Sequence, residues 1–252
     1  MSRASAVSQD AAGGALRPFV AETAAARIAD RFVTAIALGH FIVGQKLPSI
    51  AELAGMLEVS PTTVREALTR LSALGYLKIT RGRNGGATVV SQWGPASDSM
   101  VRRALEPEWA QLEVTLDFRS LIDQQIARTA AERRTPQDVE RIRAGVQAYV
   151  DAEGDREASR LADLTFHRAV AAAAGNPQLA ELSLRLRHEV SLGFEAEPYN
   201  PDVRAKAVTQ HADIAQAVIE GRGEDAARLM AVHALLTTDT LRELHHRTHS
   251  ES

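Results

Sequence analysis

Residues 44–90 read GQKLPSIAELAGMLEVSPTTVREALTRLSALGYLKITRGRNGGATVV, and this stretch decides the fold. Leu47-Pro48-Ser49 is extended, because a residue before proline is pushed out of the helical region. Ser49 and Glu52 form a capping box that opens a short helix with Ile50, Leu53, Ala54 and Leu57 inward. Glu58-Val59-Ser60 is the turn. Ser60 caps a second helix with Pro61 at its first position, where no N–H is needed. Val64, Ala67, Leu68, Leu71 and Leu74 face inward along it, and Gly75 stops it. Two β-like runs follow, Tyr76–Thr80 and Ala87–Val90, joined by the basic, Gly-rich turn Arg81–Gly86.

A helix pair followed by a basic hairpin is the pattern of a winged helix-turn-helix that binds DNA. The alternative is a solvated amphipathic helix pair with a hairpin, which a capped helix pair alone would favour; helix, turn, helix and basic wing in this order and spacing reverse the preference. The second helix leaves Thr62, Thr63, Arg65, Glu66, Thr69 and Arg70 outward. Hydroxyls at its start can approach a groove, and a guanidinium can then clamp a phosphate or a guanine edge. The expected DNA-contacting set is Lys46, Ser60, Thr62, Thr63, Arg65, Arg70, Arg81, Arg83 and Asn84.

The stretch resembles the DNA-binding domain of the GntR family of bacterial transcription regulators. Gly44, Leu47-Pro48-Ser49, Leu53-Ala54, Val59-Ser60, Thr63-Val64-Arg65, Ala67-Leu68, Leu71 and Gly75 stand in register with that family's signature. Two positions depart from its fatty-acid-responsive branch, which carries DNA-contacting arginines after LPS and after VS. This chain has Ile50-Ala51 and Pro61 there, so the resemblance implies a different operator sequence.

The whole chain carries a net charge of −3, which looks wrong for a DNA binder until it is divided. Residues 17–90 hold nine Lys/Arg against five Asp/Glu, or +4. Residues 1–16 balance, which leaves −7 for residues 91–252. Attraction for phosphate therefore belongs to the N-terminal part. The 45% apolar content is ample for a core, and few aromatics beside many Ala and Leu point to helices. With no cysteine there are no disulfides or thiolate metal sites. No apolar run is long enough to span a bilayer, and the Ala/Ser/Gly-rich start lacks a signal peptide's apolar core. The expected setting is cytoplasmic, with no membrane partner.

The chain divides into a mobile tail at 1–17, a winged helix-turn-helix at 18–91, a linker at 92–107, an all-α domain at 108–246 and a tail at 247–252. A first helix, Ala21 to Leu38, precedes the helix-turn-helix. The linker reading rests on Trp93-Gly94-Pro95, Pro107 and a shift in composition. Beyond it, periodicity predicts helices at 108–134, 136–153, 155–174, 177–195, 202–220 and 224–246, a bundle of about six. In the first of these Leu112, Leu116, Leu121, Ile122 and Ile126 are read as inward. The expected fold is mainly α, a winged helix with a small hairpin plus a C-terminal helical bundle.

Asp163 and His167 share a helix face at i and i+4, while His211 and His233 stand amid apolar positions of two other helices. Each histidine alone reads as a core residue bonded to a carbonyl. The set of four, on three helices, better fits one divalent metal held by three nitrogens and one oxygen. His40, His188, His245, His246 and His249 are read as surface or structural.

Residues 163–233 also resemble a family domain. Asp163-Leu164-Thr165-Phe166-His167 with AAAAGN at 171–176, then Gln210-His211 with Ile214 and Ala217, then Ala226, Met230 and His233 are similar to the all-helical ligand-binding FCD domain of the FadR subfamily. The resemblance implies that Asp163, His167, His211 and His233 hold one divalent metal ion per chain, with zinc first and nickel, manganese or iron as alternatives. It implies a homodimeric repressor on a palindromic double-stranded operator, answering to a small organic-acid effector. Arg119, in Asp117-Phe118-Arg119-Ser120-Leu121-Ile122-Asp123, is the expected reader of the effector carboxylate; an i,i+4 ion pair with Asp123 is its competing role. The rival reading is a helical metalloenzyme acting on a small acid, with the winged helix as an interaction module. No nucleophile or separate general base accompanies the four ligands, which weakens it. A purely structural zinc is the third.

Overall fold

Thr23 accepts a hydrogen bond from the Ala26 amide and so caps α1 (Ala24–Ala37), which buries Ile28, Phe32 and Ile36 and ends at Gly39, φ +74°. The structure, a computed structural model, describes residues 23–82, 85–191 and 200–249. The N-terminal tail, the wing-tip residues Arg83 and Asn84 and the loop around Pro198 lie outside them. Helix α2 (Ile50–Met56) opens on the expected Ser49–Glu52 capping box, and α3 (Pro61–Ala73) on Ser60 with Pro61 next. Strands β1 (Leu77–Thr80) and β2 (Gly86–Val89) form the antiparallel wing, Leu77 opposite Val89. The chain at Gly44–Leu47 pairs with the far side of β2 through Leu47 N–H to the Ala87 carbonyl and Val89 N–H to that of Gln45, which ties the wing to the body.

One expectation fails on α3. Leu74, read as inward, is the helix's C-cap and is exposed, because the buried stripe Val64, Ala67, Leu68 and Leu71 ends with the helix.

The segment read as a linker holds a helix. Ser97–Leu105 forms α4, followed by a 3-10 turn at Glu106–Glu108. Met100, Val101 and Leu105 are fully buried and join a single apolar core with the winged helix, with Leu112 and Leu116, and with Leu241 and Leu244 of the last helix. Each such side chain contributes roughly 1.5–3 kcal/mol. The bidentate Arg103–Asp30 ion pair (2.7 and 2.8 Å) also bridges α4 and α1, but with its arginine partly exposed such a pair is worth at most about 1 kcal/mol. Apolar contact therefore holds the joint, and the ion pair sets its register. Two prolines and a glycine were read as marking a linker; the apolar stripe between them went unread because it needs α1 and the last helix to face.

The C-terminal half is all helix: α5 (Trp109–Arg133), α6 (Pro136–Asp151), α7 (Arg156–Ala173), α8 (Pro177–Val190), α9 (Pro201–Ile219) and α10 (Gly223–His249). Side-chain caps from Thr135, Asp155, Asn176 and Asn200 start four of them, as their sequences required. The last helix runs to His249 with Thr248 fully buried, past the point where a tail was expected. The buried face of α5 is Leu112, Leu116, Arg119, Asp123 and Ile126, spaced i, i+4, i+7, i+11 and i+14. Leu121, read as inward, falls on the opposite side and is 56% exposed. Two charged residues take the place in the stripe that periodicity assigned to it.

Gly145 lets α6 and α7 cross closely. A β-carbon at that position would lie 2.9 Å from Cα of Phe166, next to the ligand candidate His167. Alanine gains helix propensity worth about 1 kcal/mol over glycine, but overpacking backbone against backbone costs roughly 1–3 kcal/mol. Gly145→Ala is therefore expected to lower the thermal midpoint. An unchanged midpoint in a thermal melt would show that the crossing can open without cost.

Candidate functional site

The face expected to read DNA is the outer side of α3. Thr62, Arg65, Thr69 and Arg70 are exposed along its outer side. Ser60 and Thr63 are engaged locally: the Thr63 amide donates to Ser60 Oγ at 3.1 Å, and the two hydroxyls lie 2.8 Å apart. Both hydroxyls are thus engaged at the helix start, whereas the side chains of Thr62, Arg65 and Arg70 project outward. Arg81 is exposed at the base of the wing, and the Lys46 stem lies so close to Gly86 that a β-carbon there would meet Lys46 Cε at 2.3 Å. Glycine at 86 lets this lysine run along the wing, on the strand side that faces away from the core. Arg83 and Asn84 fall outside the described residues.

The second site lies in the helical half. Asp163 and His167 on α7, His211 on α9 and His233 on α10 place one donor atom each within 4.8 Å of one another. Nε2 of His233 is 3.2 Å from Nε2 of both His167 and His211, and Oδ1 of Asp163 is 3.3 Å from His211 Nε2 and 3.7 Å from His167 Nε2. All three imidazoles are buried. Phe166 and Tyr149 pack on His211 at 4.4 and 4.6 Å between ring centres, which fixes its plane. Nδ1 of His233 donates to Gln210 Oε1 at 2.9 Å, so its Nε2 keeps a lone pair toward the other donors. Burial first, and then the Arg187 guanidinium, the neighbouring imidazoles and Arg119, hold His167 well below the usual histidine range; burial and the same groups do so for His233. Neutral imidazoles are the ligating form.

Bonds of about 2.0–2.2 Å to N and O put neighbouring donors roughly 2.8–3.6 Å apart, from octahedral to tetrahedral angles, and the observed 3.2–3.7 Å lies at the upper end of that range. The spacing, the donor types and the neutral rings therefore fit a divalent ion.

Around the cluster lie two buried arginines. Arg119 Nε contacts Asp123 Oδ2 at 3.3 Å, so the i,i+4 ion pair is present. Asp123 also accepts from Ser183 Oγ at 2.9 Å and lies 3.6 Å from Arg187, whose other nitrogen is 3.7 Å from Asp163. Arg187 was missed in the sequence. It follows Ser183 by four and precedes Val190 by three on the inward face of α8, and that placement was the available signal. His167, Ser183, Leu184 and Arg187 line a cavity of about 110 Å³. A larger open hollow of about 370 Å³ lies at the joint, between Arg31, Leu105, Leu112 and His188, and includes none of the four ligand candidates.

Comparison with known proteins follows the same division. The gntR family of bacterial regulatory proteins matches residues 24–89, and the FCD domain matches residues 113–235. The chain is 34% identical over 211 residues to the HTH-type transcriptional regulator RmpR of Mycobacterium gastri, covering 82% of this chain and 76% of that one. This chain belongs to the GntR family. Other GntR-type relatives are the HTH-type transcriptional regulator LutR of Bacillus subtilis, 30% identical with 81% and 94% covered, and the galactonate operon transcriptional repressor of Escherichia coli, 26% identical with 82% and 91% covered. It is thus a DNA-binding transcription regulator with an FCD effector domain, and its family consists of regulators rather than enzymes. No helix among the described residues is long and apolar enough to cross a membrane.

Proposed function

We infer that this GntR regulator is a cytoplasmic, homodimeric repressor of the FadR branch, whose operator affinity is set by a small carboxylate bound beside a metal ion in the helical domain. The observation that carries the reading is the meeting of Asp163, His167, His211 and His233 beside Arg119 and Arg187. The two guanidiniums and the carboxylates of Asp123 and Asp163 cancel. A divalent ion would leave two uncompensated positive charges in a largely desolvated site, and an anion would balance them.

When bound, the ion supplies a Lewis-acidic centre for an effector oxygen. Arg187 and Arg119 orient the carboxylate, and Ser183 holds Asp123 so that it does not compete for it. The cavity beside His167, Ser183 and Arg187 is small, about 110 Å³ against about 370 Å³ for the hollow at the joint, which favours a short acid over an acyl chain. One relative's name refers to galactonate, a hydroxy acid, and such acids offer two oxygens to a metal.

A palindromic operator requires two reading helices. Val114, Phe118 and Leu121 form an exposed apolar stripe on α5. The Arg242–Glu113 and Arg128–Glu224 pairs set α10 antiparallel beside α5, which brings exposed Leu235 alongside that stripe. This face supports pairing of two copies. Effector and operator then modulate each other's affinity reciprocally.

Arg119→Gln is expected to weaken effector binding at least tenfold while operator affinity without effector changes less than twofold. Calorimetry with a panel of hydroxy acids on the metal-loaded protein measures the first, and operator titration the second. An unchanged effector affinity would assign Arg119 to its ion pair with Asp123 alone.

A further inference from the structure

A second cluster of metal-ligating groups lies at the joint, far from the sensor site. His245 and His249 stand one turn apart near the end of α10, and Glu106 opens the turn between α4 and α5. Their donor atoms also lie within 4.8 Å of one another. Histidines at i and i+4 on one helix face are a spacing that binds zinc.

Each side chain is aimed. Trp109 stacks on the His245 ring at 3.9 Å and 11°. Nδ1 of His249 donates to the His245 carbonyl at 2.7 Å, which turns its Nε2 toward Glu106 Oε2 at 2.6 Å. A neutral ring with that hydrogen bond would present a lone pair to the carboxylate, so the pair calls for a positive centre. Nε2 of His245 is 3.4 Å from the same Oε2, sealed from solvent and without a hydrogen-bond partner. A proton on His249 would answer one contact and leave His245 unanswered, whereas a metal ion answers all three groups. The C-terminal end of a helix also favours a cation.

We propose that Glu106, His245 and His249 form a second site for a divalent, imidazole-preferring metal ion, with solvent completing its coordination. Its position gives it a consequence. Glu106 continues from α4, which holds the DNA-binding domain through Arg103 and Asp30 and holds the end of α10 through Arg102 on the Thr248 carbonyl. The ion would fasten the last sensor helix to the joint. His233 and His245 lie on the same helix, about 18 Å apart at 1.5 Å per residue. One rigid element therefore carries ligands of both sites.

The metal-binding claim stands on these three residues, whereas its link to effector control rests on the reading above. The test is the stoichiometry of zinc, and of cobalt followed by its visible absorption, on chelator-stripped full-length protein. Wild type is expected to bind two ions per chain. His249→Gln and Glu106→Gln should each weaken one of them at least tenfold, while the doubly substituted Asp163→Asn/His211→Gln chain keeps that ion. All three positions are partly or fully exposed, and far-UV circular dichroism checks that the variants fold. A single ion lost only on substituting Asp163 and His211 would overturn the proposal and leave the sensor site standing. Loss in His249→Gln with full binding in Glu106→Gln would also overturn it, since surface histidines alone would then account for the ion. Two ions that both survive the Asp163/His211 change would instead reject the sensor-site reading and spare this one.

Discussion

Arg65→Ala is expected to remove specific operator binding while leaving the fold intact. Arg65 is exposed on the outer side of α3, and it supports the helix through its backbone, whose carbonyl also accepts from the Thr69 hydroxyl at 2.8 Å. Truncating the side chain leaves that bond in place. A guanidinium on a base edge is worth about 1–3 kcal/mol. A dimer presents two, so the loss is roughly 2–6 kcal/mol, or at least about thirtyfold in affinity. The capping of the Thr63 amide by Ser60 sharpens the expectation, because hydroxyls committed to the helix start contribute less to base reading. Fluorescence anisotropy with the native promoter measures the affinity, and a thermal melt confirms folding. Arg70→Ala, by contrast, should weaken specific and nonspecific DNA alike and flatten the salt dependence, as loss of a phosphate contact does. Retained promoter affinity in Arg65→Ala would move recognition to the wing.

His211→Gln is expected to abolish metal binding at the sensor site and, with it, the effector's influence on the operator. His211 is fully buried between Phe166 and Tyr149, and glutamine approximates its volume, so the comparison tests ligation more than packing. A ligand present at a hundred times its dissociation constant stabilises the folded state by about 2.7 kcal/mol. Metal-loaded wild type should lose stability on that order from the sensor site when chelated, and the variant should lack that part of the response, keeping only what an ion at Glu106, His245 and His249 contributes. The metal-free protein adds a pH signature. His167 and His233 are held below the usual range when folded, by burial first, whereas the unfolded chain takes up protons near pH 6.5. The unfolded state then binds more protons, so stability rises with pH across that window. The contribution is complete above about pH 6.5 and disappears as pH falls through the lowered folded values. Elemental analysis and melts from pH 5 to 8 measure both effects. Metal content in the variant equal to that of wild type would reject the shared site.

What could be read in advance was local. The Ser49–Glu52 box, Ser60-Pro61, Thr135-Pro136 and Asn176-Pro177 each act within one turn of backbone, so neighbouring residues suffice to place a helix start. Periodicity named most of the inward faces for the same reason. It misplaced Leu121 and Leu74, because an apolar residue can be spared for a surface or a helix end when charged partners fill the core position instead. Asp163 and His167 were legible as a pair on one helix.

Their meeting with His211 and His233 depended on how α7, α9 and α10 cross, which no spacing along the chain contains. The buried Arg187 was hidden for a related reason. A guanidinium is stable inside only where carboxylates from other helices surround it, and Asp123 and Asp163 come from α5 and α7. The amino-acid sequence alone determined most of the helices and several of their caps, the outward side chains of α3 and the family pattern, since each rests on contacts between near neighbours. Tertiary structure alone decided that residues 92–107 are a packed joint, that five helices enclose one charged site, and that α10 joins that site to the DNA-binding domain. Those outcomes arise from apolar surfaces and charges finding partners on other helices, from about twenty to well over a hundred residues away.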